Sequence, residues 1–340
     1  MTPRRSRPAR TRRPRRLRAL WWTLAAVAVV VIAVVAARAA VSLTHEIAAE
    51  PPEVGVDVMV PAESKAAKAA AEGDPASVEH EAAAFLAQQP AAYWLTPEQD
   101  PIGQVGDRMR TLLDESRAQD AAASIVVYGL PERDCGNFSA GGLSPDQYEI
   151  WVDEIAGAVH AAPDVQKVIV IEPDSLALAP ECGNFEQRVP ELRMVVDRLA
   201  STNTWLYLDG GHSAWVPAGE MAELIRQLDV LEKVRGFATN VSNYQTDADE
   251  FTYARTLSGL LDGAHAVIDT SRNGAGTNGE WCNPSGRLIG AAPGTYGDDV
   301  VDTNLWIKPP GESDGTCNGG PAAGEWWPDA AVELTREAHP

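Results

Sequence analysis

Four aspartates, Asp134, Asp174, Asp209 and Asp314, each follow a stretch that reads as an apolar strand. Carboxyl groups in this arrangement suit acid–base work on a glycosidic bond. One protonates the leaving oxygen while another activates water or attacks the sugar. The central case is Lys167 to Leu178, KVIVIEPDSLAL. Val168 to Ile171 reads as a buried strand. Pro173, which lacks an amide hydrogen, must end it, so Asp174 falls just past a strand's carboxyl end. Apolar surroundings would keep such a carboxyl protonated, as a general acid requires. Alone, an aspartate there is an N-cap or turn residue as readily as an acid. Four of them at strand ends carry more weight than one.

Other residue types refine that chemistry. The chain has ten tryptophans, and Trp94, Trp215, Trp281 and Trp306 fall near the expected rim, where indole faces could stack on sugar rings. Trp215 and Trp281 sit in Gly-, Ser- and Asn-rich loops, which points to exposure. Asp209 and His212 make half a metal site, but no second histidine sits nearby, so no metal and no cofactor is expected. No Gly-x-Ser-x-Gly elbow signals a serine nucleophile. Four cysteines, Cys135, Cys182, Cys282 and Cys317, allow three pairings into two disulfides. The loops holding Cys135 and Cys182 follow consecutive strands, which favours Cys135–Cys182 and leaves Cys282–Cys317.

Apolar runs that could position these residues occur at Ala92–Leu95, Ile125–Tyr128, Val168–Ile171, Trp205–Leu208, Val234–Ala238, Ala266–Ile268 and Leu305–Ile307. Amphipathic segments alternate with them at Val105–Gln119, Pro145–His160, Gln187–Ala200, Pro217–Leu231 and Ala248–Leu261. A closing helix is read within Ala322–Glu337. Strand–helix alternation predicts a parallel α/β sheet. With no Gly-x-Gly-x-x-Gly fingerprint, a (β/α) barrel of the TIM-barrel kind fits better than a dinucleotide-binding sheet.

The 340 residues carry a net charge of −20. Nine arginines and no acid lie in residues 1–18, so the remaining body has a charge of −29. Phosphates would be repelled by that body, which excludes nucleic acid as the main partner and suits a neutral substrate. Residues 19–41 are apolar enough to predict a membrane-spanning signal anchor with the basic 1–18 segment on the cytoplasmic side. Cleavage near Ala37-Arg38-Ala39 would instead release a secreted protein. Either outcome places the body outside the cytoplasm. Residues 42–83, rich in Ala, Glu and Pro, read as a spacer, and residues 84–340 as the catalytic domain. No obligate protein partner is evident.

Taken together, VVYGLPERDC, VIVIEPDSLAL, LYLDGGHSAW, TNVSNY, IDTSRNG, EWCNP and LWIKPPGESDG resemble, in order, the blocks of glycoside hydrolase family 6, the inverting cellulases. The resemblance covers roughly residues 84–340 and implies a distorted barrel of seven parallel strands. It implies Asp174 as general acid, Asp134 as the group that raises its proton affinity and relays a proton, and Asp314 as the proposed base. Asp209 would affect substrate binding, and Tyr128 would press on the sugar at the cleavage point. Lys308 and Glu312 would hydrogen-bond sugar hydroxyls, with His212, Trp215 and Trp281 lining subsites. The cysteines match the family's two bridges. A family serine in the loop after Cys135 corresponds to Ser139 or Ala140. The short segment Ile289 to Thr303 leaves little room for a large lid, which predicts an open cleft and an endoglucanase acting on cellulose or a related β-glucan. An exo-acting cellobiohydrolase and a non-catalytic sugar-binding surface protein are the alternatives.

Overall fold

The computed structural model describes residues 27–34 and 49–338. The 27–34 stretch is helical and exposed. The remainder of the expected membrane segment 19–41 lies outside the described residues. Among those described, no helix is long and apolar enough to cross a membrane.

In the body, seven parallel strands form one sheet in sequence order: β1 (Tyr93–Leu95), β2 (Ala123–Val127), β3 (Lys167–Ile171), β4 (Thr204–Asp209), β5 (Gly236–Thr239), β6 (His265–Asp269) and β7 (Val301–Leu305). Alternation along each strand sorts its side chains. Ile125, Val127, Ile169, Ile171, Leu206 and Leu208 pack outward against the helices. Val126, Val168, Val170, Tyr207, Val267 and Leu305 pack inward against one another. Burial on both faces is why these strands read as apolar runs. The helices are α1 (Lys65–Glu72), α2 (Val78–Leu86), α3 (Val105–Gln119), α4 (Pro145–His160), α5 (Ser175–Cys182), α6 (Phe185–Leu199), α7 (Ala218–Gln227), α8 (Asp247–Leu260) and α9 (Pro328–Thr335).

The seven-stranded parallel α/β expectation is met, but the sheet is curled and no ladder joins β7 to β1 among the described residues. The two edges meet instead where Ala92 N–H donates to Trp306 O at 2.8 Å and the Trp94 indole N–H donates to Ile307 O at 2.7 Å. Pro309 and Pro310 beyond β7 offer no donors with which to extend that contact.

Two expectations are corrected. Residues 42–83, expected as spacer, are from Asp57 onward packed on the body. Ala122 N–H donates to Asp57 O, Met59 N–H donates to Ala122 O, and Met59 is fully buried in the main core. α1, α2 and α9 pack together through Ala66, Ala82, Leu86 and Ala331. Helices that meet through alanine need few large apolar residues, so composition mistook them for linker. The last strand is Val301–Leu305, not Leu305–Ile307. Its sequence, VDTNL, looks polar, but Asp302 is buried with partners: it accepts from Tyr207 Oη at 2.6 Å and pairs with Arg235 at 2.7 Å.

Candidate active site

β3 ends at Ile171, and the chain turns through Glu172-Pro173-Asp174 with Glu172 at φ 45° and Asp174 at φ 68°. Asp174 occupies the N-cap position of α5, yet its side chain makes no capping bond. Its backbone N–H donates to Asp209 Oδ2 at 2.7 Å. Asp209, buried at the end of β4, also accepts from Gly211 N–H at 3.3 Å.

These two carboxyls are therefore close and unequal. Burial pushes Asp174 well above the usual carboxylate range. The charges of Asp209, Asp134 and Asp314 add to that, while Lys308 opposes it. Burial also raises Asp209, but the two amides that donate to it favour its charged form. These surroundings favour the protonated form at Asp174 more than at Asp209, the state a general acid needs.

Asp134 lies in a short 3₁₀ turn, Asp134–Gly136, after β2. Its Oδ2 accepts from Ser139 N–H at 2.8 Å. Burial raises it, and that N–H, Asn137 and Arg133 oppose the rise. Arg133 Nε also donates to Ser139 O at 2.9 Å, so Ser139 lies beside this cluster while Ala140 is exposed. Tyr128 is buried edge-on to Trp94, with ring centroids 5.1 Å apart, and Arg133 covers its ring.

Asp314 is the most heavily bonded of the four. Its Oδ1 pairs with buried Arg272 at 2.8 Å, and its Oδ2 accepts from Tyr244 Oη and Asn283 N–H, both at 3.0 Å. A carboxylate offers about four acceptor sites. Three are taken, which leaves one acceptor site free.

Lys308 is buried, with Nζ 5.4 Å from the Trp94 ring centre and donating to Ser313 O at 3.4 Å. Burial lowers its proton affinity. Glu312, half-buried, forms an ion pair at 3.2 Å with Lys65 of α1, a helix that composition had assigned to spacer. His212, pushed down to about 4 by burial, is neutral and packs beside Trp215. Trp215 and Trp281 are substantially exposed. Trp306 is core instead, buried with its indole N–H donating to Ala291 O at 2.9 Å.

Both disulfides tie the rim together: Cys135–Cys182 joins the loop after β2 to the end of α5, and Cys282–Cys317 joins the loops after β6 and β7. Phe138, in the loop after β2, reaches those later loops. It lies 5.9 Å from the Trp281 ring and packs on Gly315, where any added Cβ would lie 2.4 Å from Phe138 Cβ.

Two buried acids at this rim escaped the sequence reading. Asp269 accepts from the backbone N–H groups of Ser271, Ile307, Ser242 and Lys308 at 2.9–3.1 Å, gathering the loops after β5, β6 and β7. Glu172 gathers the loop after β2. The signal common to both was position, an acid at or just after a strand end, as for the four aspartates that were singled out.

The fold and its rim define a glycosidase-type site, with convergent carboxyls flanked by aromatic side chains at the strand ends of a curled parallel sheet. Comparison places it within a family: residues 54–338 match the model for Glycosyl hydrolases family 6, and the chain belongs to that family. It is 40% identical over 254 residues to Endoglucanase A of Cellulomonas fimi, covering 74% of this chain and 55% of that relative. It is 31% identical over 280 residues to Exoglucanase 3 of Agaricus bisporus, covering 69% of this chain and 63% of the other. The chain thus spans somewhat over half the length of each of these two relatives. A solved structure of the endoglucanase Cel6 from Mycobacterium tuberculosis, in complex with methyl-cellobiosyl-4-deoxy-4-thio-β-D-cellobioside, aligns at a TM-score of 0.78. That pair is 36% identical, and the alignment covers 85% of this chain and 99% of the other.

Proposed function

We propose that this chain hydrolyses internal β-1,4-glucosidic bonds of cellulose or a related β-glucan with inversion at the anomeric carbon. The observation that carries the reading is the Asp174 environment: a carboxyl free of capping bonds, held protonated by burial and by Asp209, Asp134 and Asp314 around it. Asp174 protonates the glycosidic oxygen. Tyr128 presses on the sugar at the cleavage point. Water attacks from the opposite face. The one acceptor site left on Asp314 orients that water, and Ser139 with Asp134 offers a route for its proton. Lys308, Glu312, His212, Trp215 and Trp281 line the groove on either side. The relatives' names, one of which binds a cellobioside analogue, support the substrate class.

A cellobiose-releasing, exo-acting mode is the second reading. The contact of Phe138 with Trp281 and Gly315 favours it, because it joins loops from opposite ends of the sheet order. Product analysis decides between the two. An endo-acting enzyme lowers the viscosity of a soluble cellulose derivative steeply per reducing end released. An exo-acting one yields cellobiose with little loss of viscosity. Inversion is read by NMR as α-anomeric product appearing first from a β-glucan. β-Anomer appearing first would overturn it. Two disulfides support work outside the cytoplasm, where the 19–41 segment would tether the domain to the membrane.

A further inference from the structure

Glu172 is fully buried, stands two residues before Asp174, and touches none of the groups assigned to substrate. Its carboxylate faces only donors. Gly129 N–H donates to both oxygens at 2.9 and 3.1 Å, Leu130 N–H donates at 3.2 Å, and Tyr148 Oη of α4 donates at 2.6 Å. The close approach of Gly129 depends on its lacking a side chain, since an added Cβ would lie 2.8 Å from the Trp151 ring. Glu172 thereby grips the first residues of the loop that carries Asp134, immediately after Tyr128.

The carbonyls of the same loop are held by two arginines. Arg133 donates to Tyr128 O at 2.9 Å and Ser139 O at 2.9 Å, and Arg188 of α6 donates to Pro131 O at 2.7 Å and Glu132 O at 2.9 Å. Glu132, Asp134 and Cys135 in this loop, and Glu172 and Asp174 opposite, all have positive φ between 45° and 68°. Such backbone is strained and persists only where its surroundings over-determine it. Glu172 ties its own strained segment by hydrogen bonds to Gly129 and Leu130 at the start of that loop, and Cys135–Cys182 ties the loop to the last residue of α5.

We propose that Glu172 is a positioning residue that fixes the loop bearing Tyr128 and Asp134 against Asp174, and so sets how strongly Asp174 holds its proton. The inference rests on the acid role given to Asp174 above. The groups facing Glu172 are Tyr148 from α4, Arg133 from the loop after β2, and the Arg188–Glu191 pair from α6. Those facing Asp174 are Asp209, Asp134, Asp314, Lys308 and the Tyr128 phenol. Of the charged ones, only Asp134 rides on the loop that Glu172 grips. Releasing that loop removes one negative charge from beside Asp174 and leaves the other three groups in place, so Asp174 loses its proton at lower pH. Glutamine keeps one acceptor oxygen for Gly129 and Leu130 but puts an NH₂ where the second oxygen accepts from Gly129 N–H and Tyr148 Oη, so it weakens the grip on the loop.

The test uses full-length Glu172→Gln and Tyr148→Phe, with folding checked by near-UV circular dichroism. Hydrolysis of cellopentaose is followed against pH, and the Asp174 carboxyl is titrated by ¹³C NMR. Expected for Glu172→Gln is a kcat lower by about 10- to 100-fold, the loss typical of a small misplacement of reacting groups, with KM little changed. The alkaline limb of the pH profile and the NMR midpoint of Asp174 should both move to lower pH. Tyr148→Phe, which deletes one donor and keeps the carboxylate, should shift both in the same direction by less, and it alone decides if Glu172→Gln does not fold. Folded variants with an unmoved limb and midpoint would overturn the proposal, as would activity that falls only in step with folded fraction. The NMR midpoint does not depend on turnover. A wild-type chain inert on β-glucans would therefore sink the functional reading while leaving this one to its own measurement.

Discussion

At Asp174 the deciding contrast is between a side chain that caps a helix and one that does not. An N-cap aspartate spends its carboxylate on backbone amides and so prefers its charged form. Asp174 holds the N-cap position with its side chain uncommitted, while the amides go to Asp209. The proton then stays on Asp174, and the acid role carries a sign. Under the proposed function, activity should persist while Asp174 is protonated and be lost as pH rises through its elevated pKa. Asp174→Asn should lower kcat on cellopentaose by about 10²- to 10⁴-fold, the usual contribution of a positioned acid, with a smaller loss on an aryl cellobioside whose leaving group needs no proton. Equal losses on both substrates, or retention of most activity, would remove Asp174 from the role. Asp174, Asp134 and Asp209 were legible because each sits at a break between an apolar run and a polar loop. Arg272 and Tyr244, which bind Asp314, were not. Their partner is remote in sequence, and no local pattern reports an ion pair closed only by the fold.

Among the elements, helix and strand periodicity located nearly everything. α3 and α4 span the residues expected, and β2, β3, β4 and β6 fall within a residue or two at most ends. The misses have a shared physical cause: polar or small side chains buried by partners rather than by apolarity. β7 hides Asp302 under Tyr207 and Arg235, and α1 and α2 pack through alanines. Loop reach was equally invisible. The loop after β2, residues 128–144, carries Phe138 to Trp281 and Gly315. If that contact encloses the groove, Phe138→Ala should open it, raising viscosity loss per reducing end released. KM for soluble glucan should rise by about 2- to 10-fold, the span expected for losing one aromatic pair. Product patterns and KM identical to wild type would show that the contact does not bear on chain entry.

For the molecule as a whole, the site has a thermodynamic consequence that can be read without substrate. Glu172 is raised to about 7 and Asp209 to about 6, both chiefly by burial, and Asp174 lies well above its ordinary value. Asp134, Glu250 and Asp269 are also raised by burial. Each such carboxyl binds its proton more tightly folded than unfolded, so the folded chain carries more protons between roughly pH 4 and 7. Stability contributed by these groups is present at the low end of that window and is lost as pH rises through the folded values. His212 opposes them. Lowered to about 4 by burial, it is neutral in the fold, and its contribution is lost as pH falls below the ordinary histidine value. Glu98 and Asp298 are lowered despite burial, through Arg133 and through backbone amides and Arg255 respectively, so they lose stability only at the acidic end. The raised carboxyls outnumber the groups acting against them, and the body's charge of −29 adds self-repulsion that protonation relieves. A tenfold preference for a proton is worth about 1.4 kcal/mol, and a kcal/mol moves Tm by about 2–4 °C in a domain of 150–250 residues. Calorimetry from pH 8 down to pH 5 should therefore show Tm rising by several degrees, and Asp174→Asn should flatten that rise by removing one raised carboxyl. A Tm that instead climbs from pH 5 to pH 8 would mean that these acids are ionised in the folded chain, and the protonated acid at the centre of the site would go with them.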